Sequence, residues 1–285
     1  MTRVSFLLLL MVSLVGLACG VEPVGDSGSR SEGLREEPQA EGAPNVVLIS
    51  LDTFRADRLP QAPFISELGR KGWRSTQVRS NSNWTLPAHV SLFTSSPPVE
   101  HEVPGIGSRL PYPGERIPQR LTTLAEAFQA AGYYTAATTD GGFLIPRFGI
   151  GRGFDAFRAE DTSEGADSFL RHKEVLARLL AERGDRPFFL FVHSYEIHDY
   201  FLNTEPYHRF VDEEADRDEI AHGSWLAEIQ NGTAPSDYVS RLYDSGVRWV
   251  DEFVEELVAA VEAGSPGENL LIAVSYTHLT LPTKA

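Results

Sequence analysis

The sequence is poor in cysteine and in basic residues. Its 285 residues include one cysteine, 25 lysines and arginines, and 40 aspartates and glutamates, which gives a formal net charge of −15. A single cysteine excludes an intrachain disulfide and a cysteine-based zinc site. The negative charge opposes the counterion release on which nucleic-acid binding depends, so we expect no nucleic-acid partner. An anionic substrate would need a local cation in this background, and a metal ion is the simplest source of one.

The chain also lacks an apolar run of the length that a membrane span needs. Arg3 precedes the apolar stretch 6–17, which is too short for a comfortable span and is typical of a secretory signal over residues 1–19. The residues before Cys19 resemble a bacterial lipoprotein cleavage box, which predicts lipidation of Cys19; cleavage near Ala18 and an uncleaved anchor are the alternatives. We therefore expect an exported lipoprotein of the bacterial periplasm or outer membrane, which contacts the membrane only through this anchor.

After a linker-like stretch at residues 20–44, rich in glycine, serine, glutamate and proline, predicted strands and helices alternate. Apolar and β-branched runs predict strands at 46–51, 133–138, 188–193 and 270–274, and helical spacing predicts helices at 63–72, 123–132, 168–183 and 243–263. This alternation predicts right-handed crossovers and a mostly parallel α/β sheet. We interpret the acidic segment 202–238 as a solvated surface insertion, with a substrate-shaping lid as the alternative.

Polar residues follow the predicted strands at the edge where α/β proteins bind ligands. Asp52 comes directly after the first strand, His193 ends the third, and His198 follows shortly after it. A carboxylate at the end of a buried strand favours a bound cation, although Asp52 could instead cap a turn. Arg55 is a candidate substrate contact, with a surface ion pair to Asp57 as the alternative.

A second segment places a threonine beside a predicted helix start. Pro87 is suited to the first turn of a helix, which puts Thr85 near the N-cap. The positive end of the helix dipole favours both an anionic substrate and an alkoxide nucleophile at that position. For Thr85 taken alone, a simple capping role is the alternative.

Six runs of the sequence form a recognisable series: NVVLISLDTFRAD at 45–57, NWTLPAHVSLFTSSPPVEHEV at 83–103, LTTLAEAFQAAGYYTAA at 121–137, RFGIGRGFDAF at 147–157, PFFLFVHSYEIH at 187–198 and YDSGVRWVDEFVEELV at 243–258. Taken in this order, they resemble the sulfatase family of the alkaline phosphatase superfamily. The resemblance covers roughly residues 45–274. It implies an alkaline-phosphatase-like, mostly parallel sheet with helices on both faces, of which residues 45–275 form the N-terminal part of a catalytic domain.

The resemblance also implies roles for individual residues. Asp52 matches the family's metal-binding aspartate, and Thr85 matches the nucleophile, which in true sulfatases is a cysteine or serine converted to formylglycine. Threonine cannot undergo that conversion, and His89 stands in place of the supporting arginine. Some phosphate- and phosphonate-cleaving relatives use an unmodified threonine, which Thr85 resembles. His198 matches the family's active-site histidine, although the two residues before it depart from the family's Asp-Pro.

We therefore expect a divalent ion, Ca²⁺, Mg²⁺, Mn²⁺ or Zn²⁺, bound by Asp52 and the Thr85 oxygen, and attack of Thr85 on an anionic ester. His198 would contact the substrate or its leaving group. His89 would hydrogen-bond the same anion or serve its own helix, and His193 would bind substrate, orient His198 or end its strand. The expected function is exported, metal-dependent hydrolysis of sulfate, phosphate or phosphonate esters. An envelope phosphotransferase acting on lipid or glycan and a non-catalytic binding lipoprotein are the alternatives.

The end of the sequence departs from the family. Members carry Asp-His-Gly after the strand that corresponds to 269–274, whereas this chain continues Ser-Tyr-Thr-His and has no acidic residue beyond Glu268. Residues 276–285 resemble translated sequencing-adapter read-through, so we expect them to be non-native and do not consider His278 a ligand. We expect the fold to be incomplete at its C-terminus, two metal ligands to be absent, and the 285-residue product to fold poorly and be inactive.

Overall fold

The computed structural model describes residues 42–103, 116–159, 168–198 and 236–277. The signal sequence with Cys19, the linker up to residue 41, almost all of the acidic segment 202–238 and residues 278–285 lie outside the described residues. In the part of the chain that the structure describes, no helix is both long and apolar enough to cross a membrane.

Within these residues, parallel strands form one sheet in the order β3-β2-β4-β1-β5. The strands span Asn45–Asp52 (β1), Tyr134–Thr139 (β2), Ala156–Ala159 (β3), Phe188–Ser194 (β4) and Leu270–Thr277 (β5). β1 and β4 lie side by side, with Ser50 aligned with His193 and Leu51 with Ser194. Every residue of β1 and β4 is buried, which explains why their apolar runs are continuous rather than alternating.

Helices cover both faces of the sheet. They span Pro63–Lys71 (α1), Thr85–Thr94 (α2), Pro98–His101 (α3), Leu124–Ala130 (α4), Ser168–Glu182 (α5) and Ser236–Gly264 (α6), and 3₁₀ turns occupy Ala56–Gln61 and Pro146–Phe148. On one face α1, α5 and α6 pack against Val47 and Ile49 of β1. On the other face α2 and α4 pack against Val46 and Leu48. The predicted α/β fold with helices on both faces is confirmed.

Local sequence sets the start of α4 but not the start of α6 or the position of β3. α4 begins with a complete capping box, in which Thr123 Oγ1 accepts the Glu126 N–H at 3.1 Å and Glu126 Oε2 accepts the Thr123 N–H at 2.8 Å. α6 begins at Ser236 rather than at the predicted Tyr243, because its first turns are mostly polar and show no apolar stripe. The sequence pattern does not predict β3, which has only four residues.

Candidate active site

The carboxyl ends of β1 and β4 bring predicted site residues together at one edge of the sheet. Asp52 is the last residue of β1 and is 3% exposed. The hydroxyl of Thr85 donates a hydrogen bond of 2.7 Å from Oγ1 to Asp52 Oδ2. The candidate nucleophile and the candidate metal ligand are therefore in direct contact.

The start of α2 sets the position of Thr85. Trp84 is the N-cap residue, Thr85 is the first residue of the helix, and no side chain hydrogen-bonds as a cap. The Thr85 hydroxyl thus does not act as a cap, and its hydrogen bond goes to Asp52 instead. The N-terminus of a helix carries partial positive charge, which stabilises the Asp52 carboxylate and would stabilise an anionic ester at the same place.

His89 joins the strand that carries Asp52 to the helix that carries Thr85. It is 1% exposed, and its Nδ1 lies 2.8 Å from the Thr85 carbonyl while its Nε2 lies 2.8 Å from Ser50 Oγ. Burial lowers the pKa of His89, so the ring is neutral at neutral pH. Because a carbonyl only accepts, Nδ1 donates to Thr85 and Nε2 accepts the Ser50 hydroxyl. Both nitrogens are engaged, which favours the structural alternative for His89 over contact with a substrate anion.

Two buried side chains next to Asp52 have polar atoms without a hydrogen-bond partner. They are His193, at both ring nitrogens, and Thr53, at Oγ1. His193 Nε2 lies 3.9 Å from Asp52 Oδ2, which is too far for a hydrogen bond. Burial, reinforced by neighbouring histidines, holds the pKa of His193 well below its usual range, so its ring is neutral and able to act as a metal ligand.

These groups fit a divalent cation. Asp52 supplies a carboxylate, Thr85 a hydroxyl and His193 a neutral imidazole, and unpaired buried polar atoms are what a bound ion or its water would satisfy. Among the described residues, no group of three or more His, Cys, Asp or Glu is arranged to hold a metal ion. The three side chains thus supply part of a ligand set, and the metal ion stays a prediction.

The turn after β1 is strained and is held by α6. Thr53 has a φ of +59°, a left-handed conformation that is rare for a β-branched residue. The Tyr243 hydroxyl donates to the Thr53 carbonyl at 2.6 Å and accepts the Arg55 N–H at 2.9 Å. α6 thereby fixes the backbone that directs Asp52 into the site.

Tyr195 is a site residue that the sequence analysis missed. Its ring stands edge-on to those of His193 and His198, with centroids 4.5 Å and 5.5 Å away. Burial and the negative charge of Asp52 raise the pKa of Tyr195, whereas the Phe143 N–H and the nearby Thr85 side chain oppose that shift. The Tyr195 hydroxyl thus lies among the same groups as the Thr85 hydroxyl. His198 is exposed and lies beside Tyr195, at the outer side of the site.

Arg55 lies on the same turn as Thr53, but its guanidinium pairs with Asp57. The two side chains form two contacts, Nη2 to Oδ2 at 2.7 Å and Nε to Oδ1 at 2.9 Å. They are 36% and 59% exposed. This is the surface ion pair that the sequence left as an alternative, and a substrate contact of Arg55 stays a prediction.

Comparison with known proteins identifies the family. A family model described as Sulfatase matches residues 44–275, from the residue before β1 into β5. The chain belongs to the sulfatase family. No curated protein matches this sulfatase-family chain significantly.

Solved structures share the fold of this sulfatase-family chain. The phosphonate monoester hydrolase of Agrobacterium radiobacter has a TM-score of 0.59 at 20% identity, over 82% of this chain and 62% of that one. A protein of the alkaline phosphatase superfamily from Vibrio parahaemolyticus has a TM-score of 0.58 at 18% identity, over 85% of this chain and 56% of that one. At these identities the likeness establishes the fold alone, which is the predicted alkaline-phosphatase-like sheet. The chain spans 56% to 62% of the length of these two proteins.

Proposed function

We propose that this sulfatase-family protein hydrolyses sulfate, phosphate or phosphonate esters with Thr85 as the nucleophile. The observation that carries the proposal is the 2.7 Å hydrogen bond from Thr85 Oγ1 to Asp52 Oδ2 at the N-terminus of α2. A hydroxyl next to a carboxylate has an acceptor for its proton, and a helix N-terminus favours an anion in front of it. Family membership supports ester hydrolysis as the reaction class.

A threonine at position 85 favours direct attack over the formylglycine route of true sulfatases, because threonine cannot be converted to formylglycine. One structural neighbour is a phosphonate monoester hydrolase. This supports phosphonate monoesters as the first substrates to test, with phosphate and sulfate esters beside them.

The reaction would proceed in two displacements. Asp52 accepts the proton of the Thr85 hydroxyl, and Thr85 Oγ1 forms a bond to phosphorus or sulfur while the bond to the leaving-group oxygen breaks. His198, exposed beside Tyr195, supplies a proton to that oxygen. Water, deprotonated by His198, then attacks the Thr85 ester, and Asp52 returns its proton to Oγ1.

The surrounding residues keep this geometry in place. One ring nitrogen of His89 binds the Thr85 carbonyl, and the other binds the Ser50 hydroxyl. Asp52, Thr85 and His193 are the residues that would hold a divalent ion, which when bound supplies positive charge that lowers the pKa of the Thr85 hydroxyl and neutralises the ester anion.

The protein expressed from its complete reading frame, assayed with an aryl phosphonate monoester, an aryl phosphate and an aryl sulfate, tests the proposal. Thr85→Ala is expected to lower kcat by about 10³-fold or more, as is usual for loss of a nucleophile. Thr94→Ala is the matched control, because Thr94 lies at the other end of α2 and donates to the Val90 carbonyl at 2.7 Å. Its kcat should not change measurably.

Each outcome of this assay has a definite meaning. Unchanged turnover by Thr85→Ala would remove Thr85 from the mechanism. Absence of turnover of every ester by the wild type would favour the non-catalytic binding alternative. Transfer of the phosphoryl group to an added alcohol in preference to water would favour the phosphotransferase alternative.

We also propose export and attachment through Cys19, on the sequence alone. The short apolar stretch and the lipoprotein-like box before Cys19 support it. Metabolic labelling with a fatty acid tests it: the wild type should carry label in the membrane fraction, and Cys19→Ser should carry none. Unlabelled wild-type protein would contradict the anchor.

A further inference from the structure

A buried polar cluster lies behind the site, outside the residues used in the proposed mechanism. Thr138 is in β2, Asp140 follows β2 and His172 is in α5, and their exposed fractions are 2%, 3% and 1%. Thr138 Oγ1 lies 2.8 Å from His172 Nδ1, and His172 Nε2 lies 3.1 Å from Asp140 Oδ1. The second contact lacks the angle of a directed hydrogen bond, so it is an electrostatic contact.

Packing alone does not account for this cluster. The His172 ring lies 5.4 Å from the ring of Phe253, in a core of aliphatic and aromatic side chains. Burial of a carboxylate costs several kcal/mol unless its contacts compensate, and apolar side chains of similar volume would fill the same space without that cost. The backbone group that Asp140 binds after β4 explains this buried carboxylate better than packing does.

Asp140 holds the residue that follows β4. Its Oδ2 accepts the Tyr195 N–H at 2.8 Å, and Tyr195 is the first residue after the strand. β2 and β4 are neighbours, with Thr139 aligned with His193, so this bond crosses the carboxyl edge of the sheet. It fixes the direction in which the chain leaves β4 toward His198.

The loop after β2 holds the other end of Tyr195. The Phe143 N–H donates to the Tyr195 hydroxyl at 3.4 Å. A Cβ at Gly142, where φ is +58°, would lie 2.8 Å from Tyr195 Cε2, so the absence of a side chain there makes room for the ring. Tyr195 is thus held at its backbone by Asp140 and at its hydroxyl by this loop, and its hydroxyl lies close enough to Thr85 and Asp52 for both to influence its pKa.

We propose that Asp140, held by His172, is a positioning residue that sets Tyr195 against the Thr85 nucleophile and directs His198 toward the leaving group. The inference rests on the proposed function of Thr85. Tyr195 orients the Thr85 hydroxyl, and the turn that Asp140 fixes carries His198. Asp140 and His172 act through these residues and do not touch the substrate.

Steady-state kinetics on the product of the complete reading frame, with an aryl phosphonate monoester, test the inference. Asp140→Ala removes the acceptor of the Tyr195 N–H and should lower kcat about 10- to 100-fold with KM within about threefold, the range seen for supporting residues. Asp140→Asn keeps an acceptor oxygen and should restore kcat to within about fivefold of the wild type. Tyr195→Phe should lower kcat about tenfold, and its effect should not add to that of Asp140→Ala, because both act through one ring.

Asp155, just before β3, offers a matched control because its side chain also holds a backbone N–H next to β2. Its Oδ2 accepts the Thr135 N–H at 2.9 Å, which is the same kind of bond at the amino end of β2. Asp155→Ala should lower the thermal midpoint as Asp140→Ala does, while kcat stays within about twofold of the wild type because no site residue depends on it.

A folded Asp140→Ala variant with wild-type kcat would overturn the inference, and so would an equal fall of kcat in Asp155→Ala. If Asp140→Ala does not fold, His172→Gln decides: kcat should fall about three- to tenfold, and an unchanged kcat overturns the inference. Thr85→Ala is measured in parallel. If Thr85→Ala retains turnover, the proposed function is refuted. If Thr85→Ala loses turnover while substitutions of Asp140 and His172 leave kcat unchanged, only the positioning role is refuted.

Discussion

Thr53 and Ser95 share a left-handed backbone conformation, with φ of +59° and +55°, but of the two only Thr53 adjoins Asp52. Ser95 is the C-cap residue of α2, at the end of the helix away from Thr85. Strain of this kind costs about 1–3 kcal/mol for a residue other than glycine. One strained residue therefore lies at the site and a comparable one lies away from it.

Thr53→Gly should raise the free energy of unfolding by about 1 kcal/mol, because relief of strain exceeds the entropy cost of glycine. It should also lower turnover, since the turn after Asp52 becomes mobile. Ser95→Gly should give a similar gain in urea unfolding with unchanged turnover. Equal effects of the two changes on turnover would contradict a functional role for the strain at Thr53.

Removal of one atom, the hydroxyl oxygen of Tyr243, removes the bridge across the turn after β1. Tyr243→Phe leaves the Thr53 carbonyl and the Arg55 N–H without their partner, and should lower the free energy of unfolding by about 1–3 kcal/mol. Turnover should fall as well, because Asp52 is no longer fixed. Tyr133→Phe, which loses one bond to the Pro44 carbonyl at 3.1 Å far from the site, is the control and should leave turnover unchanged.

Removal of metal should destabilise the protein and abolish its activity. After treatment with a chelator, addition of Mg²⁺, Mn²⁺, Ca²⁺ or Zn²⁺ in turn should raise the thermal midpoint, with a stabilisation of about 2.7 kcal/mol at 100 times the dissociation constant. Asp52→Asn should abolish that rise and Asp155→Asn should retain it. The same rise in Asp52→Asn would exclude Asp52 as a ligand.

The burial of His101 predicts that the folded protein loses stability in acid. It is fully buried, its Nδ1 accepts the Val103 N–H at 3.0 Å, and burial lowers its pKa. The unfolded chain therefore binds a proton before the folded chain does, so the stabilisation is present above pH of about 6.5 and is lost as the pH falls below it. His101→Gln should flatten the dependence of unfolding free energy on pH below about 6.5. A parallel dependence in the two proteins would contradict this account.

The sequence predicts the central part of this fold well because burial leaves a simple pattern. β1 and β4 are buried on both faces, so their runs are apolar throughout. β3 is a four-residue strand with one exposed and three partly buried residues, and it leaves no such pattern. Its pairing with β2 depends on contacts between segments that no local rule describes.

The site residues also divide into those that a local rule predicts and those that it does not. The rule that ligands gather at the carboxyl ends of strands brings out Asp52 and His193, and applied to β2 and β4 it would have brought out Asp140 and Tyr195 as well. His172 could not be found in this manner. Its role depends on how α5 crosses the sheet, which a helical pattern alone does not specify.

His89 has a consequence for how a ligand meets this protein. By tying Ser50 to the Thr85 carbonyl, it makes the strand end and the helix start a single rigid unit. The reacting oxygen is oriented before any ester arrives, so little of the binding energy is spent on rearranging the protein. Such a site should bind its ester with little conformational change. Discrimination among esters should come from the more exposed surroundings of His198.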